Sequence, residues 1–163
     1  MTTFDFGFGP VPGHNHPNGG GWVADTATVT DTAYVGPDAR VAGNARVYGD
    51  ARIAGNARVF GNAQVYGNAE VFDNARVYSN ALVFDNAWVY DDAWVCGNAE
   101  VAGNARVCGR ALISGKARVS GDACVSDTAW PGDDVKEDKF IEMNGKRYKL
   151  VENGKRYKLV EIE

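Results

Sequence analysis

One spacing dominates this sequence: valine or isoleucine returns every six residues from Val23 to Val125, without an insertion or a deletion. This makes eighteen consecutive units of equal length. From Val29 onward an alanine stands two residues before each valine or isoleucine. A pair such as Gly43-Asn44 separates most units from the next alanine. Self-similarity at a fixed short period is typical of a repeat architecture, so the repeat has to be interpreted before any other feature.

Each unit predicts a short strand followed by a corner. Alanine and valine are two residues apart, so in an extended segment their side chains share one face. Gly, Asn and Asp favour turns because they tolerate positive φ or bond their own backbone. A helix is excluded, since period six does not follow 3.6 residues per turn and the repeated Gly and Val oppose helix. Three units per turn then close a triangular prism of about six coils with Val and Ala inside.

The segments Val35–Val41 (VGPDARV) and Val47–Ile53 (VYGDARI) resemble the hexapeptide-repeat family. That resemblance implies an all-β fold, a left-handed parallel β-helix, and assembly into a homotrimer. The absence of loops between units is similar to short bacterial and phage proteins of this type. Many activities share the scaffold, so the resemblance by itself implies a fold and not a function.

The repeat also predicts the domain organisation. We expect an N-terminal cap segment at 1–21, the β-helix at 22–130, a linker at 131–138 and a C-terminal three-stranded β-meander at 139–163. The nonamer NGKRYKLVE occurs twice, at 144–152 and 153–161. Each copy begins with Asn-Gly, which is the favoured two-residue hairpin turn.

Charge and composition exclude several classes of partner. The net charge of −4 offers no general attraction to nucleic acid or to anionic membranes. The three cysteines show no CxxC spacing, so neither a disulfide framework nor a zinc ribbon is indicated. No run of 18 apolar residues and no signal-peptide pattern occurs. We therefore expect a cytoplasmic protein with no membrane partner, for which nucleic acid is an unfavourable ligand.

If three units make one turn, residues 18 apart stack into outward ladders. In the columns just after the valines, small residues lie at the ends and aromatic residues in the middle, on all three faces of the prism. Exposed apolar patches of this kind mark contact surfaces, which favours self-association, although stacked rings can also simply support the sheet. The predicted oligomer-interface residues are Tyr48, Tyr66, Phe72, Phe84, Trp88 and Tyr90.

The first face carries an arginine ladder with no carboxylate in either of its outward columns. Like charges one strand apart repel each other unless an anion or an acidic partner lies over them. Neighbouring rings would suit phosphate recognition with base stacking, whereas the alternatives are a solvated arginine stripe and an acidic protein partner. The predicted ligand-binding residues are Arg40, Arg58, Arg76, Phe60, Tyr78, Trp94, Trp22, His14 and His16.

His14 and His16 are the only histidines of the chain. Their alternate spacing would place both on one metal or one ligand, or they belong to a turn-rich cap over the first coil. Two histidines with no nearby cysteine are weak evidence for a metal. We therefore predict neither a metal nor a cofactor.

The residues also bear on activity. Acyltransferases of the hexapeptide-repeat family generally use a histidine base in a cleft between subunits, and the family's carbonic anhydrases bind zinc through three histidines. This chain has no histidine after His16. We therefore predict a non-catalytic oligomer that binds or sequesters an anionic small molecule such as a nucleotide. The alternatives are a purely structural or protein-interaction oligomer, and an acyltransferase that uses His14 or His16.

Overall fold

The computed structural model describes residues 2–126, 141–143, 146–153 and 156–162, and the regular structure within these ranges is β-strand. The first two strands are β1 (Thr3–Asp5) and β2 (Pro10–Asn15). The repeat then forms β3 Trp22–Ala24, β4 Thr28–Val29, β5 Tyr34–Val35, β6 Arg40–Val41, β7 Arg46–Val47, β8 Arg52–Ile53, β9 Arg58–Val59, β10 Gln64–Val65, β11 Glu70–Val71, β12 Arg76–Val77, β13 Leu82–Val83, β14 Trp88–Val89, β15 Trp94–Val95, β16 Glu100–Val101, β17 Arg106–Cys108, β18 Leu112–Ile113, β19 Ala117–Val119 and β20 Cys124–Ser126. The last three strands are β21 Ile141–Met143, β22 Lys146–Asn153 and β23 Arg156–Ile162.

Successive strands of the repeat lie in different sheets, and each pairs in parallel with the strand three places along the chain. The first sheet contains β3-β6-β9-β12-β15-β18, the second β4-β7-β10-β13-β16-β19, and the third β5-β8-β11-β14-β17-β20. The pairing of Arg40 with Arg58, and of Arg58 with Arg76, shows the 18-residue register. The predicted parallel solenoid of about six stacked coils is therefore confirmed. Its left-handed winding stays a prediction.

The core contains the valines, the two isoleucines and the alanines of the repeat. From Ala45 to Val107 these side chains have no exposed surface. Full burial of one valine stabilises a fold by roughly 1.5–3 kcal/mol, and the core gains this contribution once in every unit. Because each coil contacts only its neighbours, the stability is distributed along the stack.

The corners between strands explain the two-residue pairs, such as Gly43-Asn44, that separate the units. The first residue of the pair adopts the left-handed conformation, with φ of 72° at Gly61, 57° at Asp73 and 61° at Ser79. A glycine does this at little cost, whereas Asp85 and Asp91 also use their carboxylates to accept a backbone N–H from the next coil. The second corner position forms amide ladders, Asn44–Asn62–Asn80–Asn98 and Asn68–Asn86–Asn104–Asp122 among them. These contacts hold the coils in register.

Residues 2–15, which we call the N-terminal arm, fold against the outside of the first sheet. Strand β1 pairs antiparallel with β2, and β2 pairs antiparallel with β3. Phe6 is 3% exposed and clusters with Ala24 and Ala42, while the Phe4 ring stacks on Trp22 with centroids 4.4 Å apart. The small alanines in this outward column make room for the Phe6 ring. The arm thus covers one flank of the solenoid in addition to the predicted capping role.

Residues 16–21 close the first coil at the third sheet. The backbone N–H of Gly21 donates to the carbonyl of Val35, and the N–H of Val35 donates to the carbonyl of Asn18. The ring of His16 is 2% exposed, and its Nε2 lies 3.0 Å from the carbonyl oxygen of Ala33. These bonds satisfy backbone groups that the first coil would otherwise leave unpaired.

Beyond the last coil, β21 pairs antiparallel with β19, and β22 pairs antiparallel with β21 and with β23. The predicted linker at 131–138 lies outside the described residues, and the domain boundaries stay predictions. In the part of the chain that the structure describes, no helix has the length and apolar character needed to span a bilayer.

Candidate functional site

The arginine ladder lies on the outer surface of the first sheet. Arg40, Arg58 and Arg76 occupy the neighbouring strands β6, β9 and β12 in register, and each is half-buried. Trp22 pairs with Arg40 at one end of the ladder, and Trp94 pairs with Arg76 at the other. Parallel register therefore stacks three guanidinium groups on one flank at the spacing of adjacent strands, about 4.8 Å.

The two outer arginines each have an aromatic partner. The guanidinium carbon of Arg40 lies 5.0 Å from the ring centroid of Phe4, and that of Arg76 lies 4.9 Å from the ring of Trp94. Such contacts stabilise a cation by about 0.5–1 kcal/mol at exposed sites. Within the described residues, no hydrogen bond, ion pair or aromatic ring engages the guanidinium of Arg58. Among the described residues, Arg58 is thus the arginine of this ladder with neither an aromatic nor a polar partner.

The surroundings of Arg58 disfavour its charge. Burial lowers the pKa of Arg58 below its usual value, and repulsion from Arg40 and from Arg76 lowers this pKa further. Arginine remains protonated in proteins, so the group stays charged and the repulsion persists. A bound anion would relieve this repulsion and would satisfy the free donors in one step.

A pocket of about 230 Å³ opens over the ladder. Its cationic part consists of Arg40, Arg58 and Arg76. Its other lining residues are Phe6, Gly7 and Phe8 of the arm and residues 42, 59 and 60 of the first sheet. A concave site with apolar walls and a few convergent charged groups is the usual form of a small-ligand site.

One carboxylate lies near this pocket. Hydrogen bonds from the backbone N–H groups of Gly7 and Gly9 lower the pKa of Asp5, and the charge of Arg40 contributes a smaller lowering. The Oδ1 atom of Asp5 lies 2.7 Å from the nitrogen of Gly7 and 3.0 Å from that of Gly9. Asp5 is therefore occupied by its own turn, and of the three arginines it is Arg40 whose charge acts on it.

The structure brings together four of the predicted ligand-binding residues, because Arg40, Arg58, Arg76 and Phe60 all line the pocket. Tyr78 and Trp94 do not line it but continue its wall. The ring of Tyr78 stacks on Phe60 at 4.9 Å and contacts Trp94 edge-on at 6.2 Å. Trp22 is covered by Phe4 of the arm.

The repeat gives no indication of Phe6, Gly7 and Phe8, which also line the pocket. The recurrence of phenylalanine at every second position, Phe4, Phe6 and Phe8, was a visible signal, because residues two apart share one face of an extended segment. The small Ala24 and Ala42 were its counterpart, since a ring from elsewhere has to fill the space that they leave. Only the tertiary contact shows that this arm and the arginine ladder meet.

The two histidines lie in different surroundings, and neither lines the pocket. His14 is exposed, and its Nδ1 lies 2.9 Å from a carboxylate oxygen of Asp25. His16 is buried and bonded to the backbone of Ala33. Among the described residues, no group of three or more His, Cys, Asp or Glu side chains has the arrangement to hold a metal ion.

The predicted interface residues form one ring ladder on each of the other two faces. Tyr66 lies between Tyr48 and Phe84, with centroids 4.9 and 5.0 Å apart and nearly parallel planes. On the third face Phe72 stacks on Tyr90 at 5.0 Å. Trp88 contacts Phe72 edge-on at 6.1 Å, and its ring lies over the guanidinium of Arg106. The rings thus support one another across coils while their outer edges stay accessible.

Cys96, Cys108 and Cys124 form no disulfide and carry thiol groups. Cys108 follows Tyr90 in the third-face ladder. A hydrogen bond with Cys108 raises the pKa of Tyr90, burial raises it further, and the resulting pKa is about 12. Tyr90 therefore stays protonated in the folded chain at pH values where a free phenol has ionised.

This shift predicts a loss of stability at alkaline pH. The unfolded tyrosine releases its proton near pH 10.0 and the folded one near 12, so the stabilisation is complete below pH 10.0 and is lost as the pH rises toward 12. Tyr90→Phe should flatten this fall in the free energy of unfolding, measured by urea titration at a series of pH values. Phe72→Leu, which removes no titrating group from the same ladder, should retain the wild-type slope. Identical slopes for Tyr90→Phe and the wild type would contradict the assignment.

The parallel coils and the six-residue repeat together define a β-solenoid repeat protein. The sequence is similar to the YdcK beta solenoid repeat family, which matches residues 51–67, 63–78 and 105–121. The first two matches include Arg58 and Arg76 and lie beside the pocket. No curated protein and no solved structure matches the chain.

Proposed function

We propose that this chain is a non-catalytic β-solenoid of the hexapeptide-repeat type that binds an anionic small molecule, such as a nucleotide, over the arginine ladder of its first face. Arg58 carries the proposal. Its guanidinium is half-buried between two like charges in a pocket, and among the described residues it has no polar partner. Phosphate and carboxylate are the groups whose geometry matches a free guanidinium fork.

The ladder has a stability cost that a ligand would offset. Like charges on neighbouring strands destabilise a sheet, and charges at one strand spacing interact noticeably even near the surface. Anion binding converts this repulsion into attraction at all three groups. A chain that uses the ladder for binding is therefore expected to be more stable with the ligand than without it.

The test compares Arg58→Ala with a matched control, Arg46→Ala. Arg46 occupies the same repeat position on the second face, where its ladder neighbours are Thr28 and Gln64. The probes are inorganic pyrophosphate and adenosine monophosphate, measured by calorimetric titration and by thermal unfolding at low salt. We expect ligand binding by the wild type and by Arg46→Ala, and about ten-fold to hundred-fold weaker binding by Arg58→Ala, since a charge-assisted bond contributes roughly 1.5–3 kcal/mol.

The ligand-free proteins give an independent measurement. Arg58→Ala should unfold at the same temperature as the wild type or at a higher one, because the substitution removes repulsion from Arg40 and Arg76. If Arg58 served only to stabilise the fold, Arg58→Ala would unfold at a lower temperature than the wild type. If neither ligand shifts the unfolding temperature of the wild type, the proposal is wrong.

A second candidate is a structural or protein-interaction oligomer, with the homotrimer as the expected assembly. The stacked rings of the second and third faces favour it, since their accessible edges form apolar surfaces outside the pocket. This candidate predicts no ligand effect in the same titration. Both functions are compatible in one assembly, because the ring ladders of the second and third faces lie on other sheets than the arginine ladder.

A further inference from the structure

The turn at residues 5–9 of the N-terminal arm has a fixed shape. The Asp5 carboxylate accepts hydrogen bonds from the backbone N–H of Gly7 at 2.7 Å and of Gly9 at 3.0 Å. These two bonds close the turn on itself, as aspartate side chains commonly do in turns. The rings that the turn carries are therefore held in place by local contacts and by the packing of Phe6.

This turn directs two phenylalanines to different environments. Phe6 is 3% exposed and anchors the arm in a cluster with Ala24 and Ala42. Phe8 is 60% exposed, and it lines the pocket over the arginine ladder. A ring that remains exposed contributes little to folding, since the stabilisation scales with the apolar area removed from water. Within the arm the Phe8 ring stacks on Phe6, with centroids 6.3 Å apart, and more than half of its surface remains exposed.

The cationic and the aromatic parts of the pocket meet at Gly7. A Cβ atom added there would lie 3.3 Å from an Nη atom of Arg58, which is tighter than most such contacts. The missing side chain lets the turn approach the guanidinium closely. One cavity of about 230 Å³ is therefore lined by three cationic groups and by the rings of Phe8 and Phe60.

We propose that this pocket binds a phosphate monoester of a flat aromatic group, of the mononucleotide type, with the phosphate on Arg58 and the ring on Phe8. The inference rests on the proposed anion-binding function and adds the ring platform supplied by the arm. Phosphate fits the guanidinium fork, and bases stack on aromatic side chains regardless of their identity. The pocket is smaller than the roughly 300–1,000 Å³ of typical ligand sites, which favours a compact ligand over a long cofactor.

The experiment compares adenosine monophosphate with ribose 5-phosphate, which keeps the sugar and the phosphate and has a hydroxyl group in place of the base. The proteins are the wild type, Phe8→Ala and a matched control, Leu112→Ala. Leu112 is also 60% exposed and lies on the first face in β18, outside the pocket. Calorimetric titration at low salt measures each affinity, and thermal unfolding verifies that each variant is folded.

We expect the wild type to bind adenosine monophosphate roughly ten-fold more tightly than ribose 5-phosphate, which is the ratio that one stacked base produces. In Phe8→Ala the two affinities should become similar, because only the binding of adenosine monophosphate weakens. Leu112→Ala should leave both affinities unchanged.

The remaining outcomes separate this inference from the anion-binding function. Equal affinity of the wild type for the two ligands overturns the ring platform, while the anion site stands. An equal loss of affinity for both ligands in Phe8→Ala also overturns the ring platform, because Phe8 would then only shape the arginine pocket. Binding of neither ligand, nor of pyrophosphate, by the wild type overturns the anion-binding function itself.

Discussion

Val47→Asp is expected to abolish the folded solenoid at neutral pH. Val47 is fully buried in β7, between Val29 and Val65 of the adjacent coils. The substitution removes the roughly 1.5–3 kcal/mol of valine burial and places a carboxylate in a core without polar partners, which costs several kcal/mol more. The sum is comparable to the whole stability of a typical domain, about 5–15 kcal/mol.

Arg46→Asp is the matched control, because Arg46 precedes Val47 in the same strand and its side chain is exposed. We expect this variant to change the free energy of unfolding by less than about 1 kcal/mol, as exposed substitutions usually do. Circular dichroism and urea unfolding followed by tryptophan fluorescence measure both variants. A folded Val47→Asp with wild-type stability would contradict the inward orientation of the valine column.

Gly21→Ala is expected to disrupt the cap of the first coil. A Cβ atom at Gly21 would lie 2.2 Å from the carbonyl oxygen of Gly36 and 2.6 Å from a methyl carbon of Val35. Backbone atoms cannot yield as a flexible side chain does, so the hydrogen bonds that Gly21 makes with Val35 and His16 have to break. We expect a loss of about 3 kcal/mol or more, at the upper end of overpacking effects.

The neighbouring Gly20→Ala separates this steric effect from backbone strain. Gly20 has φ of 80°, but none of the described residues lies within 4 Å of an added Cβ. Its substitution should cost only the left-handed conformation, about 1–2 kcal/mol. Urea unfolding measures both free energies, and hydrogen exchange at Val35 reports directly on the cap. A Gly20→Ala variant that is less stable than Gly21→Ala would show that strain and not contact determines the effect.

Periodicity was sufficient to predict the fold. The spacing of Val and Ala by two, and of units by six, leaves a short strand and a corner as the arrangement that buries every apolar column. The stacking of residues 18 apart followed from that geometry, and the pairs Arg40–Arg58 and Arg58–Arg76 are in register. The prediction succeeded because each unit contacts only its nearest neighbours, so the local pattern and the global fold carry the same information.

The site was predictable only in part. The repeat placed Arg40, Arg58 and Arg76 in one ladder and Phe60 beside it, and all four line the pocket. The arm lies outside the repeat, and no period relates its Phe6 and Phe8 to the coils. Its position depends on long-range packing of Phe6 against Ala24 and Ala42, which no local pattern specifies.

The two histidines also show that sequence spacing does not predict contacts made outside the repeat. Alternate spacing suggested that His14 and His16 would share a ligand. Instead the backbone of the cap engages His16 at Ala33, and Asp25 engages His14 on the surface. The spacing of two residues describes a regular strand, and β2 ends at Asn15, so the rule does not extend to His16.

The amino-acid sequence alone therefore specifies the solenoid, its coil number, its inward and outward columns and the charge of its first face, because these follow from strict periodicity. The pocket depends on the folded chain. A ladder of arginines becomes a concave site only where the arm closes over it, and that closure arises from the burial of the Phe6 ring in the space left by two alanines. Burial of apolar surface is not directional, so only the three-dimensional packing determines which surface the ring covers.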